Sequence, residues 1–192
     1  MTLYSSLTDQ IKRFVSLNPD EEAFINGLFT PKSLPRGGYF LREGETCRQV
    51  AFVQKGLFRY FINREGEELT YFFSEESQFV SEYESFLSGQ PTHKNIQALE
   101  EAEILVITPE KLQRLYREVR EGERFGRLVA ERLFVDTIRQ ITSLYRDPTQ
   151  VRYADFVKNF PAIGQRIPQY YIASYVGVKP QSLSRIRNRL AK

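Results

Sequence analysis

The spacing of apolar positions changes twice along the chain. Leu7, Ile11, Phe14 and Val15 recur at helical spacing, as on a helix with one apolar face. Asn18-Pro19-Asp20-Glu21-Glu22 reads as a second helix start: a capping side chain, a proline in the first turn, then carboxylates near the positive end of the dipole. That helix carries Phe24, Ile25, Leu28 and Phe29. Between residues 34 and 108 short apolar stretches alternate with glycine turns. Tyr39-Phe40-Leu41, Val50-Ala51-Phe52-Val53, Leu57 to Ile62, Leu69 to Phe73 and Ile104 to Ile107 are the predicted strands. Asn63-Arg64-Glu65-Gly66 is a hairpin loop between two of them. Strands at this spacing predict a compact antiparallel sandwich or barrel, with the aromatic residues as its packing.

Helical spacing returns at Pro109, which opens a helix carrying Leu112 and Leu115. A longer helix is predicted from Gly122 to Tyr145. Within it Phe134, Ile138, Ile141 and Tyr145 recur at spacings of four, three and four, an a/d seam suited to a partner helix. Leu128, Val135 and Leu144 lie off the seam, so a second apolar face is expected to pack on the strand domain. One face for the domain and one for another helix predicts a homodimer. Asp147-Pro148-Thr149 then breaks the helix. Tyr153, Phe156, Val157 and Phe160 form a further amphipathic helix, stopped at Pro161. The organisation is therefore α+β: residues 1–121 as a β-rich domain, 122–146 as a dimerisation helix and hinge, 147–192 as a helical tail.

The tail carries a helix-turn-helix pattern. Such a unit needs a small residue where its second helix crosses the first, a residue tolerant of positive φ in the turn, and apolar anchors at set places. Ala173 is the small residue, and Gly177 follows four positions later as the turn. Ile172, Val176, Val178, Leu183 and Ile186 are the anchors, and Pro180 suits the first turn of the second helix. At 100° per residue Leu183, Ile186 and Leu190 share one side of that helix. Gln181, Arg185, Asn188 and Lys192 share the opposite side, flanked by Ser184 and Arg189. Arginine can take guanine O6 and N7 together, and glutamine can pair with adenine N6 and N7. Gln181, Ser184 and Arg185 are therefore the candidate base readers, and Lys179, Ser182, Arg187 and Arg189 the candidate backbone contacts.

Charge supports this reading once it is divided. The 192 residues carry a net charge of only +3. From Asp147 onward there are eight basic and two acidic residues, a net +6, while the preceding 146 residues net −3. A basic tail on a mildly acidic body is the footprint of a polyanion-binding module attached to something else. Apolar content of 41% and charged content of 27% suit a folded chain. No apolar run of about 18 residues predicts a membrane span, and Met1 to Val15 do not read as a secretory signal. The single cysteine, Cys47, excludes an internal disulfide, a four-cysteine iron–sulfur site and a cysteine-rich zinc site. The expected compartment is the reducing cytoplasm. There is no Ser/His/Asp set, metal cluster or Gly-rich phosphate loop to suggest an enzyme.

Together these features resemble the cyclic-AMP receptor protein/FNR (CRP/FNR) family of bacterial transcription regulators. The likeness is carried locally by Phe40-Leu41-Arg42-Glu43-Gly44-Glu45, Val53-Gln54-Lys55-Gly56 and Asn63-Arg64-Glu65-Gly66-Glu67. In that family these stretches mark turns of a double-stranded β-roll, the cyclic-nucleotide-binding fold. Gln181, Ser184 and Arg185 look like the E-x-x-S-R recognition pattern with glutamine for glutamate, which implies a different half-site at that position. The resemblance implies a homodimer on a near-palindromic DNA site, with RNA polymerase as a further partner. Family members often carry a β-hairpin wing after the recognition helix. The sequence ends two residues past Leu190, so the wing's backbone contacts are expected to be missing or supplied elsewhere.

In nucleotide-binding relatives a glutamate holds the ribose and an Arg-Ser pair holds the cyclic phosphate. Here Glu82 matches the glutamate, and the Arg-Ser pair falls on Thr92-His93, with Lys94 the nearby cation. No arginine lies between Arg64 and Arg114, and Glu84 adds a further negative charge. A buried phosphate needs a paired cation, so cyclic AMP is not the expected ligand. Glu82, Thr92, His93 and Lys94 remain the candidate effector residues, with His93 read as solvated or structural. No cofactor is expected, and any small-molecule effector is unidentified. The rival reading is a small-molecule-sensing module that regulates a partner protein through its basic tail.

Overall fold

A computed structural model describes residues 4–190. The chain divides into two compact units, residues 1–60 with 73–133, and residues 61–72 with 134–192.

The first unit opens with helices α1 (Ser5–Lys12) and α2 (Pro19–Leu28). The start of α2 is a capping box: Asn18 Oδ1 accepts from the Glu21 N–H at 2.8 Å, and the Glu21 carboxylate accepts from the Asn18 N–H at 2.9 Å. Strands β1 (Thr30–Leu34), β8 (Ala102–Ile107), β3 (Val50–Lys55) and β6 (Phe79–Val80) form one sheet in that order. β8 pairs antiparallel with β1 from Thr30 opposite Val106 to Leu34 opposite Ala102. It pairs antiparallel with β3 through Ala51 opposite Val106 and Phe52 opposite Leu105. Buried on both faces, β8 and β3 read as continuous apolar runs. β1 is an edge strand with a proline and mostly exposed side chains, which is where the ladder tolerates proline. The second sheet has the order β2 (Tyr39–Leu41), β7 (Lys94–Ala98), β4 (Phe58–Arg64) and β5 (Glu67–Ser74).

Helices α3 (Tyr83–Ser88), α4 (Pro109–Glu118) and the start of α5 (Gly122–Arg146) complete this unit. Its core joins Leu7, Ile11, Ile25 and Leu28 to Phe52, Leu105, Leu115 and Phe125. The apolar spacing of α1, α2 and α4 is thus spent on one cluster.

The second unit contains the tip of the β4–β5 hairpin, the C-terminal half of α5, α6 (Thr149–Asn159), α7 (Ile163–Arg166), α8 (Gln169–Val176) and α9 (Pro180–Leu190). The hairpin turns on Glu65 (φ 54°) and Gly66 (φ 84°), the double positive φ of the two-residue turn whose twist matches the flanking strands. Phe156, Ile163, Ala173, Val176 and Leu183 are buried in this unit, with Phe156 and Phe160 both packed against Tyr175.

The off-seam face of α5 differs from expectation. Leu128 is half-buried, but Val135 and Leu144 are exposed. Every side chain from Glu131 to Arg139 is exposed, along a helix whose 25 residues span about 38 Å.

Candidate nucleic-acid interface and effector pocket

The α8–turn–α9 unit places its residues by local chemistry. Gly177 has a left-handed φ of 78° and caps α8. The Val178 N–H reaches back to the Ala173 carbonyl at 2.9 Å, the six-to-one bond that closes a helix before a sharp change of direction. Ile172, Ala173, Val176, Leu183 and Ile186 are buried, and Val178 is half-buried. The side chain of Leu190 and the whole of Lys192 lie outside the described residues.

Burying Leu183 and Ile186 leaves the other side of α9 to solvent. Lys179, Gln181, Ser182, Ser184, Arg185, Arg187 and Arg189 are all exposed. Arg187 is tethered, its Nη1 donating to Gln169 Oε1 at 2.7 Å. No acidic residue follows Asp155 in the sequence, so this surface carries positive charge without internal neutralisation. Its arginines and Gln181 can donate to phosphate and to base edges.

Two residues that the sequence reading left in the background organise the unit. Arg152, counted only as charge, donates from Nε to the Val176 carbonyl at 3.0 Å and from Nη1 to the Asp147 carbonyl at 2.9 Å. Ser174 accepts from the Thr70 N–H at 2.8 Å and donates to the Glu68 carbonyl at 3.2 Å. Neither has a periodic signature.

On α5 the seam residues Phe134, Ile138, Ile141 and Tyr145 are exposed, Phe134 by 68% and Tyr145 by 89%. Such a stripe of large apolar side chains is the kind of surface that marks an interaction site.

In the first unit, three of the four candidate effector residues converge. Glu82 is buried, caps α3, and accepts from the Ser85 N–H at 2.8 Å. The Lys94 ammonium lies 2.8 Å from both the Glu82 and the Glu84 carboxylates. The Lys94 N–H donates to Thr92 Oγ1 at 3.1 Å, and the Thr92 hydroxyl also bonds Glu82. Burial by itself would raise the Glu82 pKa, but Lys94, the Ser85 amide and Thr92 together hold it below the ordinary value. Burial likewise disfavours the Lys94 charge, and the two carboxylates more than reverse this, so its pKa is raised. His93 is exposed and stands apart from the cluster.

Further polar groups pack inside the same roll. The Tyr60 hydroxyl lies 3.2 Å from Ser74 Oγ and bonds the Ser81 backbone. Burial pushes the Tyr60 phenol up, so it stays protonated. The buried Cys47 donates from its N–H to Ser85 Oγ at 2.9 Å, and Ser85 Oγ donates to the Gln90 carbonyl. The apolar stretch along β4 could have pointed to a buried Tyr60, but nothing local pairs it with Ser74. Beside this cluster a depression of about 170 Å³ is lined by Phe40, Leu41 and Glu45 to Gln49, below the ~300–1,000 Å³ usual for small-molecule sites. Among the described residues no group of three or more His, Cys, Asp or Glu is placed to hold a metal. No described helix is long and apolar enough to cross a membrane.

Comparison with known proteins agrees with this architecture. Residues 31–119 match the cyclic nucleotide-binding domain family. No curated protein matches by sequence. Among solved structures, the Catabolite Activator Protein of Thermus thermophilus is similar at 19% identity and a TM-score of 0.60, over 95% of this chain and 86% of that one. The c-di-GMP responsive global regulator CLP of Xanthomonas campestris is similar at 17% identity and a TM-score of 0.68, over 91% and 92%. A transcriptional regulator of the crp/fnr family from Eubacterium rectale, itself assigned only provisionally, aligns at 14% identity and a TM-score of 0.66, over 91% and 84%. Residues 31–119 thus match the cyclic nucleotide-binding domain, and the chain as a whole has the fold of these solved regulators.

Proposed function

We propose that this protein is a cytoplasmic, homodimeric transcription regulator that binds DNA sequence-specifically through α9. The observation that carries the reading is the exposed face of α9. Gln181, Ser184 and Arg185 project from a helix anchored by Leu183 and Ile186, in a segment with no acidic residue after Asp155. Lys179, Ser182, Arg187 and Arg189 flank them as backbone contacts. The exposed Phe134, Ile138, Ile141 and Tyr145 form the dimer seam along α5. Two copies would then present two recognition helices to successive major grooves.

The roll does not receive cyclic AMP in the family's usual way. Lys94, the cation at the matched cassette, is already shared by Glu82 and Glu84, and an anion entering there would face two carboxylates. The roll therefore acts as a scaffold, or as a sensor of an effector other than a cyclic nucleotide held by an arginine.

The test is selection from random duplexes with purified full-length protein. The expected product is a paired, inverted half-site bound with steep salt dependence, since several phosphates are neutralised. Failure to enrich any paired site would overturn the reading. Ile138→Glu is expected to yield monomers in sedimentation and to abolish binding to the paired site.

A further inference from the structure

One guanidinium joins three carbonyls that belong to different segments of the second unit. Arg152 stands in the first turns of α6, just past the break after α5. Its Nε donates to the Val176 carbonyl at 3.0 Å, at the C-terminal end of α8. Its Nη1 donates to the Asp147 carbonyl at 2.9 Å and to the Leu144 carbonyl at 3.4 Å, at the C-terminal end of α5. The last carbonyls of a helix lack intrahelical partners and carry the negative end of its dipole. A cation there satisfies them and is attracted by both ends at once. Arginine suits the position because its donors form a rigid planar fork, whereas the lysine ammonium is a compact charge on a flexible stem. A Cβ on Gly177 would stand 3.5 Å from Arg152 Nη2, so the guanidinium also lies against the turn that aims α9.

The geometry points to Arg152 as a positioning residue that sets the half-site spacing. It ties the end of the dimer helix to the helix from which the reader departs. In a dimer built on α5, the angle from α5 to α9 fixes the distance between the two recognition helices. Arg152 does this without touching DNA. One base pair of added spacing rotates a half-site by about 34° and moves it by about 3.4 Å, so a rigid α5–α9 relation reads spacing sharply. This inference rests on the proposed DNA-binding function.

The experiment compares wild type, Arg152→Lys and Arg152→Ala on duplexes derived from the selected site. The duplexes carry the two half-sites at the selected spacing and at one and two base pairs more or less, and a further duplex carries one half-site. Wild type is expected to lose about tenfold or more in affinity per base pair of misspacing, from the rotation above. Both variants should flatten that preference to within about threefold, while single half-site affinity stays within about twofold. The ratio between spacings is insensitive to a loss of folded fraction, and Arg152→Lys keeps the charge should the alanine variant fail to fold. An unchanged spacing profile in the variants overturns the inference. So does a uniform loss on all duplexes with a salt slope reduced by about one, since that marks a phosphate contact. Wild type that selects no paired site would instead overturn the proposed function itself.

Discussion

Ser174 completes hydrogen bonds on a β-strand that lies 104 residues earlier in the chain: its Oγ accepts from the Thr70 N–H at 2.8 Å. The same hydroxyl donates to the Glu68 carbonyl at 3.2 Å. β5 is the last strand of its sheet, and an edge strand leaves donors and acceptors without ladder partners. One serine on α8 therefore does locally what a further strand would do.

Replacing Ser174 with alanine should remove both bonds and cost about 1 kcal/mol, the usual net value of a hydrogen bond. The location of the effect is the sharper test. Amide hydrogen exchange at Thr70 should accelerate, while that of Phe52 and Leu105 in the other unit's core stays unchanged. Equal exchange at Thr70 in both proteins would show that the hydroxyl does not hold the strand.

The Lys94 cluster predicts a pH dependence at both ends. Glu82 has a folded pKa below the ordinary 4.5, so its contribution is present above pH 4.5 and is lost as pH falls through the lower folded value. Lys94 has a folded pKa above the ordinary 10.5, so its contribution is present below pH 10.5 and is lost as pH rises through the higher folded value. Lys94→Met should destabilise the roll by about 2 kcal/mol, because a buried carboxylate loses its cation. Denaturant titrations of the two proteins should converge at acid pH as Glu82 protonates. A constant difference down to pH 2 would rule out the pair as its source.

Glu65 occupies a left-handed conformation at φ 54° in the hairpin turn. A side chain other than asparagine, aspartate or glycine is strained there. Glu65→Asn should stabilise the protein by about 0.5–1 kcal/mol, raising the melting temperature by roughly 1–4 °C for a chain of this size. Calorimetry would check this, and an unchanged or lower midpoint would contradict it.

Arg185 and Arg187 should behave differently on DNA. Arg185 is exposed on the candidate reading face, so Arg185→Ala should cost about 1–3 kcal/mol on the selected duplex and relax the preference at one base pair. Arg187 is already bonded to Gln169. Arg187→Ala should weaken binding to all duplexes alike and lower the salt slope by about one. Equal losses on specific and random duplexes for Arg185→Ala would remove it from the base readers.

Much of this molecule is determined by the sequence alone, wherever the governing interactions span three or four residues. The capping box at Asn18, the turn at Gly177, the break after Arg146 and the apolar face of α9 follow from helix period and backbone preference, which neighbouring residues decide among themselves. The central strands were legible for the same reason, being apolar runs bounded by glycine. β1 was not, because an edge strand is free to carry Thr30, Pro31, Lys32 and Ser33 outward. β7, with Lys94 and Asn95 at its start, hid its period behind polar residues committed to other partners. Only the closed fold decided that Lys94 meets Glu82, that Tyr60 meets Ser74, and that Arg152 bridges Val176 and Asp147. Each of these joins groups that have no spacing rule between them. A polar group removed from water must find a partner, but chain closure chooses which one.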